Sequence, residues 1–315
     1  MKKLLLTILL TILIFPSCNK TTQPAPDTHI IEETYTDDLG RTVKVPSANR
    51  VATIIGSFTD IWCLAGAQEN IVAAANDSWT TFNLELAPEV INTGSSKAPS
   101  LEKILASNPD LIIASSNTSA DMKLLDTFEE MDIPVLYFDI SNFDDYLRVL
   151  NIATDITGHK ENYKKYGLAL QSQINEAKKM AEGKPAPKVL YVRASASKVA
   201  IKNSKDSVLG EMLHDLGCIN IADSNTGLLE NLSMETIIKE DPDFIFGVLQ
   251  SSTPEKAQKA LEKALTADPA WNQLTAVKNG RFIILDQRMY NMKPNALWAE
   301  AYTNLAEIIY NNGTK

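Results

Sequence analysis

The chain has 315 residues, 44% of them hydrophobic and 22% charged, the composition of a globular protein long enough for two domains. With 30 Lys and Arg against 39 Asp and Glu, the formal net charge is -9, and no stretch concentrates basic residues, which argues against nucleic acid as a partner. No internal apolar run is long enough to cross a bilayer.

The N-terminus reads as a targeting segment. Met1, Lys2 and Lys3 form a basic start, Leu4 to Phe15 an apolar stretch too short to span a membrane, and Pro16, Ser17 and Cys18 follow at once. The order resembles a bacterial lipoprotein signal over residues 1–18. Ser17 fits the small residue before the cysteine, whereas Phe15 and Pro16 depart from the common lipobox. The expectation is a lipid on Cys18 and an envelope protein held to its membrane. Residues 19–34, rich in Thr and Pro, read as a tether with a reach of roughly 20 to 25 Å. Of the remaining cysteines, Cys63 and Cys218 read as two buried thiols rather than a disulfide.

A first α/β lobe is expected over 35–142. YTDDLGRTVKVP (35–46) reads as a hairpin, and strand-like runs follow at 50–55, 71–76, 111–115 and 135–140, separated by helical pieces. A connector over 143–183 comes next: a helical pattern from Phe143 to about Ile156, a break at Gly158, and a second helical stretch from Lys160 to Glu182 before GKPAP. About 22 helical residues would be roughly 33 Å long, enough to join two lobes by one helix. The second lobe, 184–315, has strand-like runs at 188–193, 218–222, 243–249 and 281–286, then an amphipathic helix over 295–310 with Leu297, Ala301, Leu305 and Ile308 on one face.

One unit occurs twice. SLEKILASNPDLIIAS (100–115) and SMETIIKEDPDFIFGV (233–248) align without a gap, matching Ser100 with Ser233, Glu102 with Glu235, Pro109 with Pro242 and Asp110 with Asp243. Each copy starts with a serine suited to N-capping and a first-turn acid, forms a short helix, and is stopped by Pro-Asp before an apolar strand. In a parallel α/β layer such a helix starts at the edge where strands end, the edge at which ligands of open sheets bind. Glu102 and Glu235 should therefore lie near one rim, one per lobe.

The ordered series of hairpin, RVATII, the first repeat, the long linking helix, the second repeat and DPAWNQLTAVKNGRFIILD resembles the helical-backbone (class III) substrate-binding proteins of ABC importers, over roughly residues 35–312. That family carries iron complexes, haem and cobalamin. The resemblance implies two α/β lobes joined by one long helix with the ligand cleft between them. It also implies a monomer with no intrinsic cofactor, whose cargo is an iron chelate or tetrapyrrole, a ferric siderophore or haem first and a corrinoid as the alternative. In the family a glutamate on each lobe engages arginines of the permease dimer, and Glu102 and Glu235 occupy those positions. Such charge pairing mainly sets orientation and on-rate.

Cleft residues are expected just after strand ends: Phe58, Trp79 and Asn117 in the first lobe, and Arg193, Gln250, Arg288, Tyr290 and Met292 in the second. Arg193 and Arg288 suit the oxygens of an anionic chelate. Phe58 and Trp79 could stack on a flat ligand, and Tyr290 or Met292 could serve haem iron as an axial ligand. Free metal ions fit poorly, since the three histidines, His29, His159 and His214, make no close pair. The other readings are an enzyme or a lipid-anchored sensor. No Gly-x-Ser-x-Gly elbow, phosphate-cradling loop or dinucleotide fingerprint occurs, and matched rim glutamates have no obvious use in an enzyme.

Overall fold

The computed structural model describes residues 33–205, 207–251 and 253–311. The expected lipoprotein signal with Cys18 and residues 19–32 of the expected tether lie outside them, while residues 33 and 34 of that tether belong to the first strand. The chain enters through an antiparallel hairpin, β1 (Glu33–Thr36) and β2 (Thr42–Val45). Asp37 closes its turn, accepting hydrogen bonds from the backbone of Leu39 and Arg41 at 3.1 and 3.0 Å and pairing with the Arg41 guanidinium. The turn is docked on the sheet behind it, because Asp38 N donates to Tyr137 O at 2.9 Å.

The first sheet has five parallel strands in the order β5-β4-β3-β6-β7: β3 (Val51–Thr53), β4 (Ile71–Ala74), β5 (Ile91–Asn92), β6 (Leu111–Ser115) and β7 (Val135–Phe138). All residues of β3 and β6 are buried, as expected of central strands covered on both faces. The chain starts at β3, works outward to β5, then returns to β6, so strand order reverses between β3 and β6. Loops leaving those two strands diverge and open a crevice.

The second sheet repeats this plan. Its order is β10-β8-β11-β12, with β9 added antiparallel to β8: β8 (Lys188–Ala194), β9 (Val199–Lys202), β10 (Ile219–Asn220), β11 (Phe244–Leu249) and β12 (Phe282–Leu285). Here the order reverses between β8 and β11. The protein is thus α/β with two lobes, each with a crevice at the carboxyl ends of its central strands.

The repeated unit explains how each reversal is built. Ser100 caps the helix Leu101–Ala106 and Ser233 caps Met234–Glu240, each accepting from the backbone three residues on. The Pro-Asp aspartates then hold the neighbouring central strand. Asp110 accepts from Ser47 Oγ at 2.5 Å, Asn49 N at 3.1 Å and Arg50 N at 3.0 Å, just before β3. Asp243 accepts from Lys188 N at 2.8 Å, at the start of β8.

Between the sheets runs Phe143–Ile156, opened by a capping box of Asn142 and Asp145 and closed at Gly158, whose φ of 77° suits the helix end. A continuous helical run over 160–179 follows, with a widened π-helical turn at Lys164–Leu168. A methyl group at Gly167 would approach Leu147 to 3.0 Å, so the glycine lets this turn lie close against the preceding helix. Its last part, Ala169–Lys179, packs along the final helix Trp298–Tyr310. Trp298 in turn meets Phe143 edge-on, ring centroids 5.9 Å apart. One apolar cluster therefore continues from the first lobe through the connector into the second, with separate clusters on the far face of each sheet.

Several expectations shift in detail. The second connector helix stops at Lys179 instead of Glu182. The run 218–222 keeps only two strand residues before Asn220 caps a helical turn, Ile221–Ser224. The buried stripe of the last helix is Ala301, Tyr302, Leu305, Ala306 and Ile309, with Leu297 and Ile308 half-buried. Cys63 and Cys218 are free thiols as expected, but Cys63 is only half-buried whereas Cys218 is buried.

Replacing Asp110 by Ala removes three hydrogen bonds to one carboxylate and should lower stability by about 1.5 to 3 kcal/mol; Asp243→Ala, with one such bond, should cost less. Urea denaturation of the two variants checks this ordering.

Candidate functional site

Loops after β3 and β4 meet at the first crevice. Gly56 N donates to Asp77 Oδ1 at 3.1 Å, and a Cβ at position 56 would lie 2.7 Å from Ser78 N, so only glycine allows the two loops this approach. Beneath them a buried chain of hydroxyls links Thr53 to Thr59 at 2.7 Å and Thr59 to Ser78 at 2.8 Å. Asp121 is fully buried under the loop after β6. Its Oδ2 accepts from Ser115 N at 2.9 Å, and its Oδ1 has no partner among the described residues. Burial pushes its pKa up to about 7, and the Asp77 charge adds to the rise. Burial also raises the pKa of Asp77, against the pull of the Gly56 hydrogen bond.

The two lobes meet at Asp60, on the helix Gly56–Leu64. Arg288 Nη2 reaches its Oδ2 at 3.0 Å, and Asn295 Nδ2 donates to the same oxygen at 2.8 Å and to Ser57 O at 2.9 Å. Arg288 also donates to the carbonyls of Lys293 and Pro294 at 2.6 and 3.2 Å, and its guanidinium lies 4.1 Å from the centroid of Phe82, a cation–π distance. Burial raises the pKa of Asp60 and lowers that of Arg288, and in both groups it outweighs the attraction of the partner. This is a largely desolvated ion pair, and its geometry is held by the neutral donor Asn295.

In the second lobe Arg193 and Gln250 line one cavity of about 310 Å³ with Ser195 and Lys198, and Arg193 Nη1 donates to Asn291 Oδ1 at 3.4 Å. Lys293, half-buried in the loop after the Gln287–Tyr290 turn, has its pKa lowered by burial, with Asp139 and Asp145 of the first lobe and connector acting against the shift.

The expected site residues divide accordingly. Arg193 and Gln250 come together. Asn117 is exposed and donates to both Asp139 oxygens at 3.3 Å, while Trp79 and Met292 are half-buried. Glu102 and Glu235 are exposed in the first turns of their capped helices. Three expectations need correcting. Phe58 is 2% exposed and packs edge-on against Phe138, a core residue with no face left for a ligand. Tyr290 is also 2% exposed and its hydroxyl donates to Ala301 O at 3.0 Å, so it is a structural phenol and not an axial ligand. Arg288 has its guanidinium committed to Asp60 and two carbonyls. Sequence reasoning misses Asp60 and Phe82. For Asp60 the only available signal was an isolated acid within an apolar helical stretch. No cluster of three or more His, Cys, Asp or Glu able to hold a metal ion occurs among the described residues.

The family model described as "Periplasmic binding protein" matches residues 51–289, a span containing both central strand pairs. An uncharacterized ABC transporter substrate-binding lipoprotein, YvrC of Bacillus subtilis, is 23% identical over 300 residues, covering 94% of this chain and 91% of its own. Among solved structures, the apo periplasmic heme-binding protein RhuT of Roseiflexus sp. RS-1 superposes with a TM-score of 0.68 at 19% identity, covering 84% of this chain and 99% of that one. Staphylococcus aureus SirA complexed with staphyloferrin B gives 0.65 at 22% identity, covering 89% and 97%.

The raised pKa of Asp121 has a consequence for stability. The folded protein holds this proton up to about pH 7, whereas an unfolded aspartate releases it near 3.8. Stability contributed by the neutral form is therefore present at low pH and lost as pH rises through that window, by at most about 1.4 kcal/mol per pH unit. Asp60 and Asp77, also raised, act in the same direction. The Asp121→Asn variant should show a flatter decline in urea midpoint between pH 5 and pH 7, about the range of the shift. Identical slopes for variant and parent would show that Asp121 is ionised throughout.

Proposed function

Because the chain belongs to the periplasmic binding protein family, matched over residues 51–289, we propose that it is the lipid-anchored substrate-binding component of an ABC importer, with an anionic iron chelate as its cargo. The observation that carries this reading is the family match across both lobes, since such a binding protein needs the two crevices to face one ligand. The relatives are binding proteins and not enzymes, which fits this reading.

The side chains favour a chelate over haem. Tyr290 and Phe58 are enclosed, and the open cavity that Gln250 lines is cationic, with Arg193, Lys198, Lys202 and Lys205 around it. With Arg288 bound to Asp60, positive charge for a carboxylate or catecholate ligand falls to Arg193 and the lysines that share its cavity. A siderophore complex in SirA, a protein of similar fold, is compatible with that choice. Glu102 and Glu235, exposed at equivalent helix starts, are the proposed contacts to the two permease subunits. Cys18 is the proposed lipid site, and the residues after it are the tether.

Two variants separate these roles. Arg193→Ala should weaken binding of the chelate that co-purifies from the native cells by about ten- to a hundredfold, read by native mass spectrometry and titration. The Glu102→Arg/Glu235→Arg variant should keep that affinity and lose uptake. Normal uptake by the double variant would end the docking assignment, and an absorbance spectrum of haem on the purified protein would end the chelate assignment.

A further inference from the structure

The sequence contains no basic run, yet the fold assembles one. Lys256, Lys259 and Lys263 lie three and four residues apart along the helix Pro254–Thr266, on one stripe with Ala260 and Ala264. Opposite them is Lys198, in the tight turn between β8 and β9, where Ser195 N donates to Lys198 O at 2.7 Å. The four lysines border a single groove of about 760 Å³. Its floor is apolar, supplied by Val199, Leu232, Ala260 and Ala264.

Three features set this groove apart from an ordinary solvated helix face. All four lysines are exposed, and none has an ion-pair partner among the described residues. Glu255 and Glu262 share the helix but are not among the residues that line the groove. The chain around it carries a net charge of -9, so the groove is a local reversal of sign. The topology also fixes where it opens. The 195–198 turn leaves the carboxyl end of β8, the helix Pro254–Thr266 begins just past the carboxyl end of β11, and Leu232 immediately precedes Ser233, the cap of the helix that bears Glu235. The groove and Glu235 therefore share one edge of the second lobe.

We propose that this lysine-bordered groove docks on the anionic phospholipid headgroups of the membrane to which the protein is tethered. The proposal rests on the envelope-anchored reading above. Lysines near an anionic surface each contribute about 1 kcal/mol, about fivefold in binding, and the effect falls off within a screening length. An acidic protein is repelled by such a surface everywhere except at a basic patch, so the patch selects orientation. Seated through it, the second lobe presents Glu235 toward the plane in which a permease lies. Docking thereby turns a tether that limits distance into a contact that also sets direction.

The test uses the mature chain beginning at residue 18, carrying Cys18→Ser so that no acyl chain contributes, and co-sedimentation with vesicles. Equimolar phosphatidylglycerol and phosphatidylcholine vesicles should bind it at least about tenfold more tightly than pure phosphatidylcholine at about 0.1 M salt. Binding should vanish near 1 M salt, where the screening length is about 3 Å. Lys256→Glu/Lys259→Glu/Lys263→Glu should lose the preference. The control Lys44→Glu/Lys97→Glu/Lys123→Glu, exposed lysines elsewhere with the same change of charge, should keep most of it. Equal loss in both variants, or no preference for anionic vesicles in the parent, overturns the proposal. Saturation by citrate without any vesicle preference also overturns it and makes the groove a soluble-anion site. Failure here is distinguishable from failure of the cargo reading, because chelate binding by the triple variant is measured separately and should be unchanged.

Discussion

The arrangement of the two lobes depends on a carboxylate that ends among groups of the other lobe. Asp60 of the first lobe is bound by Arg288 and Asn295, both beyond the last strand of the second. Taking two charges out of water is costly, and burial indeed displaces both pKa values against the ion pair. Such a pair stabilises little in net terms, but each member strongly penalises loss of the other. It therefore specifies which groups must meet. The apolar junction supplies the cohesion, with Phe143, Tyr146, Trp298 and Tyr302 in successive ring contact. A junction with one polar register point set in packed aromatics favours small adjustments of the lobes over wide hinge opening.

This constraint also bears on the candidate cleft. Arg288 is withdrawn from ligand chemistry, and its contact with Phe82 brings a first-lobe loop up to the second lobe. The strand order places loops from β3 and β6 on one side and from β8 and β11 on the other. Arg193 and Gln250 belong to the β8 and β11 ends, the reversal point of the second sheet. The proposed cargo residues and the proposed docking residues then occupy different parts of one edge. The cleft uses side chains at strand ends, and the rim uses helix starts.

What the sequence disclosed was what local physics decides. The serine caps, the Pro-Asp stops and the strands they lead to are each set within a few residues, and their repetition at fixed spacing marked the two lobes. The hairpin was equally plain, because Asp37 and Gly40 serve a turn within their own segment. Long-range partners were not legible. Arg288 looks like a free cation after a strand until the fold brings Asp60 to it from 228 positions away. Phe58 and Tyr290 sit where cleft residues are expected, but which way a side chain faces in the first turn after a strand depends on the packing of neighbouring elements. Strand β5, two residues long, is too short to show a pattern. The lysine groove was invisible for the same reason as the ion pair, since Lys198 and Lys259 are neighbours only across the fold.

A double-mutant cycle on Asp60 and Arg288, read by urea denaturation, tests most directly whether this pair sets the junction. Asp60→Ala and Arg288→Ala should each destabilise by about 3 to 5 kcal/mol, the cost of stranding a buried charge. The double variant strands neither charge and should lose much less than their sum, by a coupling energy of at least about 3 kcal/mol. Additivity of the two changes to within about 0.5 kcal/mol would contradict the account, since the two charges would then be independent of each other.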